Sequence, residues 1–232
     1  MLKFLNILSK SFTQKKISYS YGGIDSLVLN IFNNQKKGIY LDIGCGHPIK
    51  NNNTYLLNKK GWSGINIDLD KENIDMFNIY RKNDFNIEAA VSDSVQELDL
   101  YFYHKKSPLN TISKQNADYQ KARVTSIKKI KTQTINKIIE NSPYRDCKID
   151  LLTLDVEGSE LNIMKSFNFK KYATKVIVVE YLDLSLKKLE IKNLNIDNII
   201  KSEIYKLMIS NNYTLANVLH SDLVFINNNF RD

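Results

Sequence analysis

Cysteine, proline, glycine and histidine are all scarce in this chain: 2, 3, 8 and 3 residues respectively among 232. Cys45 and Cys147 have neither a CxxC spacing nor a histidine pair nearby, which excludes a disulfide framework and a zinc knuckle and leads us to expect a reducing, cytoplasmic setting. So few prolines and glycines exclude collagen and low-complexity disorder. No apolar run approaches the ~20 residues of a membrane span. Met1 to Leu8 is mildly apolar but is interrupted by Lys3 and Asn6 and lacks a cleavage pattern. It reads as a short packing helix or a weak membrane-surface contact, and packing is the simpler reading.

What is present suits a packed globular chain. Its 26.9 kDa and 43% hydrophobic residues are enough for one large core with room for an insertion. The formal charge of +8 attracts polyanions at low ionic strength. The basic residues are mostly lysines scattered in pairs such as Lys15-Lys16, Lys36-Lys37 and Lys128-Lys129, the pattern of a solvated face more than of a nucleic-acid stripe. No stable nucleic-acid complex is therefore expected, and a phosphate-bearing small molecule fits the charge.

Hydrophobic patterning alternates strands with helices, the rhythm of a parallel sheet with crossover helices. Residues 1–36 read as an N-terminal helical segment, with a helix at Leu27 to Phe32, and residues 37–232 as the main domain. The predicted strands are Ile39 to Ile43, Ser63 to Asp68, Asn86 to Val91, Leu98 to Tyr103, Lys128 to Thr134, Ile149 to Val156 and Lys175 to Tyr181. Two more follow at Tyr213 to Leu219 and Leu223 to Ile226. Helices are predicted after Asn52-Asn53-Thr54, over Lys71 to Lys82, over Ile135 to Glu140, from Glu160 to about Phe167, and as one unit over Asp197 to Ser210. Lys105 to Lys121 is polar and without periodicity, so a loop over one edge is expected; Leu182 to Ile196 is a long charged stretch. The sum is a doubly wound, Rossmann-like α/β sheet, mostly parallel and closing with an antiparallel terminal strand.

In such sheets ligands sit at the carboxyl ends of the strands. The first strand ends in Asp42-Ile43-Gly44-Cys45-Gly46, where two glycines let the backbone approach a ligand and the following helix start favours a negative group. A dinucleotide fingerprint would need a third glycine where Ile49 stands, and there is no phosphate loop. The second strand ends in Asp68, placed to accept hydrogen bonds from a ribose diol, so an adenosine without a pyrophosphate suits the pair better. Simple turn capping by Asp42 and helix capping by Asp68 are the alternative. The Asp155-Val156-Glu157-Gly158-Ser159-Glu160 segment brings three carboxylates to a helix start, of which Glu160 is read as N-terminal charge complementarity. Asp155 and, one strand on, Glu180 end buried strands. They suit either a divalent cation or a division of labour between general base and substrate anchor. His47, His104 and His220 are each able to act as a base near neutral pH, and each is more often structural.

These residues resemble the FkbM family of S-adenosylmethionine-dependent methyltransferases. The likeness rests on Asp42 to Gly46, on Asn53-Thr54-Tyr55-Leu56-Leu57, on Gly61 to Asp68, on Ile149 to Glu157 and on Glu180. It runs from about residue 17 to residue 226. Upstream, Ser18 to Asp25 resembles the family's first segment, although Tyr21 and Ile24 stand where Gln and Glu are common. The resemblance implies a class I methyltransferase fold and methyl transfer to a hydroxyl of a sugar or natural-product scaffold. It would put Asp42, Gly44 and Gly46 at the methionine end of the cofactor and Asp68 at the ribose. The turn around Ala90 would border the adenine, and Asp155 would face the methyl group. Candidate bases for the acceptor hydroxyl are Asp155, Glu157, Glu180 and His104. A magnesium ion held by Asp155 and Glu180 follows only by fold-level analogy with catechol-type methyltransferases. An RNA or other non-sugar acceptor, or a non-catalytic adenosine binder, are the competing readings; Asp155-Val156-Glu157-Gly158 lacks the Pro-Pro-aromatic pattern of base N-methylation. A homodimer is left open.

Overall fold

The structure is a computed structural model that describes residues 17–33, 35–104, 107, 109–119, 124–182 and 195–231. After a 3-10 turn at Tyr21–Gly23 the order is α1 (Ile24–Ile31), β1 (Ile39–Ile43), α2 (Tyr55–Asn58), β2 (Ser63–Asp68), α3 (Lys71–Tyr80), β3 (Phe85–Glu88), β4 (Ala90–Val91), β5 (Glu97–Phe102), α4 (Lys114–Tyr119) and β6 (Ser126–Gln133). Then come α5 (Ile135–Glu140), β7 (Leu151–Leu154), α6 (Glu160–Ser166), α7 (Phe169–Tyr172), β8 (Val176–Glu180), α8 (Ile196–Lys201), α9 (Glu203–Ser210), β9 (Tyr213–Leu219) and β10 (Asp222–Asn227).

Seven strands form one sheet in the order β3-β2-β1-β7-β8-β10-β9. All neighbours from β3 to β8 are parallel, and β10 alone runs against both its neighbours. This is the class I methyltransferase form of the doubly wound sheet, as expected, with the direction of the chain reversing away from β1 on either side. Alternation along the strands divides the core in two. Leu41, Ile43, Leu152, Leu154, Ile177 and Val179 pack with α5, α6 and α9, whereas Tyr40, Leu151, Val176 and Val178 pack with α1, Leu57 and Trp62. Burial on both faces is why these strands read as near-continuous apolar runs.

Four expectations need correction. The single third strand over Asn86 to Val91 is two: at Ala89 the backbone N–H donates to the Asp68 carbonyl at 2.9 Å, and Ala90–Val91 leaves the main sheet to pair with Thr132 and Gln133 in a three-stranded sheet ordered β4-β6-β5. The polar stretch after Lys105 is not all loop, because α4 forms within it. The helix drawn over Asp197 to Ser210 is broken at Ser202, whose backbone is extended and whose Oγ accepts from the Tyr205 N–H. The helix drawn to Lys82 stops at Tyr80, since Arg81 leaves helical geometry at φ −129° and ψ 59°. Met1 to Leu8 and nearly all of Leu182 to Ile196 lie outside the described residues. No helix of the described chain is long and apolar enough to cross a membrane.

Candidate active site

The carboxyl ends of β1, β2, β7 and β8 open into a cleft of about 820 Å³, within the size range of small-molecule sites. Ends of parallel strands carry backbone donors and acceptors that the ladder no longer uses, so chemistry collects there.

One end of the cleft is built on the glycine turn. Gly44 has φ +75°, and a Cβ there would lie 1.7 Å from the Asp155 carbonyl oxygen. Only glycine therefore lets the end of β1 cross the end of β7 at this distance. Gly44 and Cys45 N–H both donate to the Ile67 carbonyl, at 2.9 and 3.0 Å. Gly46 N–H donates to Asp68 Oδ2 at 2.8 Å, and Asp70 N–H donates to Oδ1 at 2.7 Å. Asp68 thus ties the turn to β2 as well as facing the cleft. Burial pushes its pKa up to about 6 against the pull of those two amide donors. Ala89, Ala90 and Val91 line the wall beside it.

Asp42, expected at the methionine end, is not among the residues lining the cleft. It is buried behind the turn, where its Oδ2 accepts from Thr54 Oγ1 at 2.7 Å and Asn52 Nδ2 at 3.1 Å. Burial raises its pKa to about 6, opposed by the positive charge of Arg81. Arg81 itself is 2% exposed. It had no signal in the sequence, where a lone arginine at a helix end reads as a surface charge.

Beside the glycine turn the lining is acidic. Asp155, Glu157, Glu180 and Asp222 all line it. Asp155 is exposed to solvent where it lines the cleft. Crowding by protein raises its pKa, while a hydrogen bond shared with Glu180 lowers it. Glu180 is raised well above the carboxylate range, by burial first and then by the charges of Asp155, Glu157 and Glu160. Glu157 is raised by burial and by Asp155, and Asp222 is pushed up to about 7 for the same two reasons. Glu160 is buried, and its Oε1 accepts from Val156 and Gly158 N–H at 2.9 and 3.0 Å. That is the helix-start role expected of it.

Asp155, Glu160 and Glu180 each present an oxygen within 4.8 Å of the others. Among the described residues, Glu180 Oε2 is buried without a hydrogen-bond partner. His104 is exposed and does not line the cleft, so the structure does not bring it to the acids. His47 lines it, but its Nδ1 accepts from Ile49 and Lys50 N–H, both at 3.1 Å, as a turn cap.

Of these lining residues Asp222 escaped the sequence reading, and so did the contacts that place His220, Tyr21 and Glu157. Asp222 reaches the cleft because it pairs in register with Glu180 across the antiparallel β8–β10 ladder. His220, at φ +56° in the β9–β10 turn, meets the Tyr21 ring edge-on with centroids 4.5 Å apart. Tyr21 is held there by Asp25, fully buried, whose carboxylate takes bonds from Ser18 Oγ, Ser20 Oγ and Tyr19 N–H. Thr111 and Asn116 both donate to the Glu157 carbonyl and fix its left-handed backbone at φ +62°. Register and loop folding of this kind leave no local sequence signal.

A model of the Methyltransferase FkbM domain matches residues 42–207. Among curated proteins there is no match. A solved TehB-like SAM-dependent methyltransferase from Corynebacterium glutamicum is 14% identical, with a TM-score of 0.45, over 97% of this chain and 95% of that one. Precorrin-6y C5,15-methyltransferase from Geobacter metallireducens is 10% identical with a TM-score of 0.44, over 94% and 93%. Monomeric WbdD is 12% identical with a TM-score of 0.45, over 88% of this chain but 40% of its own.

Proposed function

On the premise that this chain belongs to the FkbM methyltransferase family and uses S-adenosylmethionine, we propose that it methylates a hydroxyl of a sugar, nucleotide-sugar or surface-glycan acceptor. The carrying observation is that Asp155 and Glu180 meet in the same cleft that the glycine turn and Asp68 line, with Gly44 directly beside the Asp155 backbone.

The sulfonium supplies an electrophilic methyl group, so the protein's part is alignment and proton removal. Holding donor and acceptor in line supplies up to ~7–11 kcal/mol of the barrier. In this reading Gly44 and Gly46 receive the methionine end, Asp68 the ribose and Ala90 the border of the adenine. A sugar hydroxyl is a weak nucleophile near neutral pH and needs a base as its oxygen attacks. Asp155 takes that proton at its carboxylate, since a carboxylate with a raised pKa is a stronger base than an ordinary one. Glu180, protonated, orients Asp155 by donating to it; Glu157 and Asp222 accept from neighbouring hydroxyls of the acceptor. The exposed Tyr21 ring offers a flat face to a sugar. Lys50 also lines the cleft and suits the phosphate of a nucleotide-sugar.

A second reading adds a divalent cation such as Mg2+. It is supported by the three carboxyl oxygens within 4.8 Å and the orphaned Glu180 Oε2, a hard oxygen set of the type that suits this ion. Asp155, Glu180 and Glu160 would hold it, and it would lower the pKa of the acceptor hydroxyl. The acid end argues against a phosphodiester acceptor, whose charge it repels. Labelled S-adenosylmethionine offered with a panel of nucleotide-sugars and with RNA tests the acceptor. Methylation of RNA alone would sink the sugar reading. Loss of turnover in EDTA, restored by Mg2+, supports the cation.

A further inference from the structure

Arg81 is the largest fully buried side chain of the described residues, and within them its guanidinium hydrogen-bonds to one loop. Nε and Nη2 donate to the Pro48 carbonyl at 3.0 and 2.7 Å, Nη1 donates to Thr54 Oγ1 at 2.7 Å, and Nη2 also donates to Asn52 Oδ1. Asn52 passes the restraint on: its Nδ2 donates to the Cys45 carbonyl at 3.0 Å and to Asp42, and its Oδ1 accepts from Thr54 and Tyr55 N–H. Thr54 Oγ1 then donates to Asp42. The guanidinium lies over the Phe77 ring at 4.9 Å, with Tyr55 and Tyr40 further out. The opposite face of the same loop, from Cys45 to Asn53, lines the cleft.

We infer that Arg81 is a positioning residue for the cofactor: it fixes the loop from Gly44 to Thr54 from behind, in the shape that receives the methionine end of S-adenosylmethionine, with Asp42 as its buried counter-charge. The inference rests on the cofactor reading of the cleft and goes beyond it by naming a residue that touches no ligand. Three acceptors at fixed angles in one plane demand the rigid fork of a guanidinium. An ammonium reaches one or two of them and leaves the others buried and unpaired. Within the loop Asn51 takes the left-handed region at φ +49°, a conformation that asparagine tolerates. Arg81 also gives Asp42 a purpose other than touching the ligand: neutralising a charge that burial would otherwise make costly.

The test is calorimetric binding of S-adenosylhomocysteine to the full chain, well below the melting temperature. Arg81→Lys and Thr54→Val are compared with wild type and with Ile138→Val, a core change away from the cleft. Arg81→Lys and Thr54→Val should each weaken binding by about tenfold or more with an unchanged circular dichroism spectrum, while Ile138→Val binds as wild type does. Thr54→Val removes only one of the fork's acceptors and serves should Arg81→Lys not fold. Wild-type affinity in the folded variants would overturn the role of Arg81 alone, and failure of wild type to bind would overturn the cofactor reading and this role with it.

Discussion

Asp42, Asp68 and Asp155 each end a parallel strand, yet the protein uses the three carboxylates in different ways. Asp42 turns inward to Asn52 and Thr54, Asp68 clamps the glycine turn while facing the cleft, and Asp155 faces the cleft beside Glu180, whose pKa is raised well above the carboxylate range. In the proposed reaction only the last exchanges a proton with the acceptor. Asp155→Asn keeps the shape and removes the base, so turnover should fall by roughly 10²–10⁴ while S-adenosylhomocysteine still binds; an unchanged turnover number would eliminate Asp155 as the base. Because a raised carboxyl must lose its proton to act, the wild-type rate should rise with pH along a limb displaced upward from the ordinary carboxylate range, and Asp155→Asn should lose that limb. Stability has the opposite sign. Asp42 and Asp68, at about 6, and Asp222, at about 7, bind protons more tightly in the folded chain than in the unfolded one, where 3.8 is ordinary. Their contribution is fully present below about pH 4 and is lost as pH rises through the folded values. The melting temperature of the ligand-free protein should therefore decline between about pH 4 and pH 7, and Asp222→Asn should flatten the upper part of that decline in a pH series of thermal melts.

Among the elements, the crossing of β1 and β7 admits the least change. A Cβ on Gly44 would meet the Asp155 carbonyl oxygen at 1.7 Å with φ at +75°, so Gly44→Ala adds a clash to a left-handed backbone. The backbone alone costs ~1–2 kcal/mol, or roughly 2–8 °C of melting temperature for a chain of this size. Because the clash moves Asp155, cofactor binding and turnover should fall together. The α8–α9 break is a second case. Ser202 Oγ accepts from Tyr205 N–H at 3.3 Å and caps α9, so Ser202→Ala should lower stability by ~1 kcal/mol without altering turnover. A change of melting temperature with unchanged kinetics checks it. Apolar periodicity ran straight through Ser202, since Ile199, Ile204 and Met208 all face one core; the break depends on a backbone angle that no apolar pattern encodes. The division of β3 from β4 has the same origin, a shift of partner from β2 to β6 at Ala89.

For the molecule as a whole, the cleft joins segments far apart in the chain, Gly44 to Asp68 and Asp155 to Asp222. A ligand bridging them should stabilise the entire domain. At 100 times its dissociation constant, S-adenosylhomocysteine should add about 2.7 kcal/mol, seen as a rise in melting temperature that guanidine-free melts in increasing ligand would trace; no rise would mean that the cleft does not take this cofactor. The amino-acid sequence alone determined the sheet and its class, because strands buried on both faces and separated by helices write their apolar runs and glycine turns into local pattern. It likewise marked Gly44, Gly46, Asp68, Asp155 and Glu180, since residues at strand tips can be counted off along the chain. Tertiary structure decided what had no local trace. Asp42 was drawn away from the cleft by Arg81, Asp222 was delivered by antiparallel register, Tyr21 was set against His220, and His104 was left outside. Each depends on which distant segments share a low-dielectric space, and that is a property of packing that no neighbouring residue records.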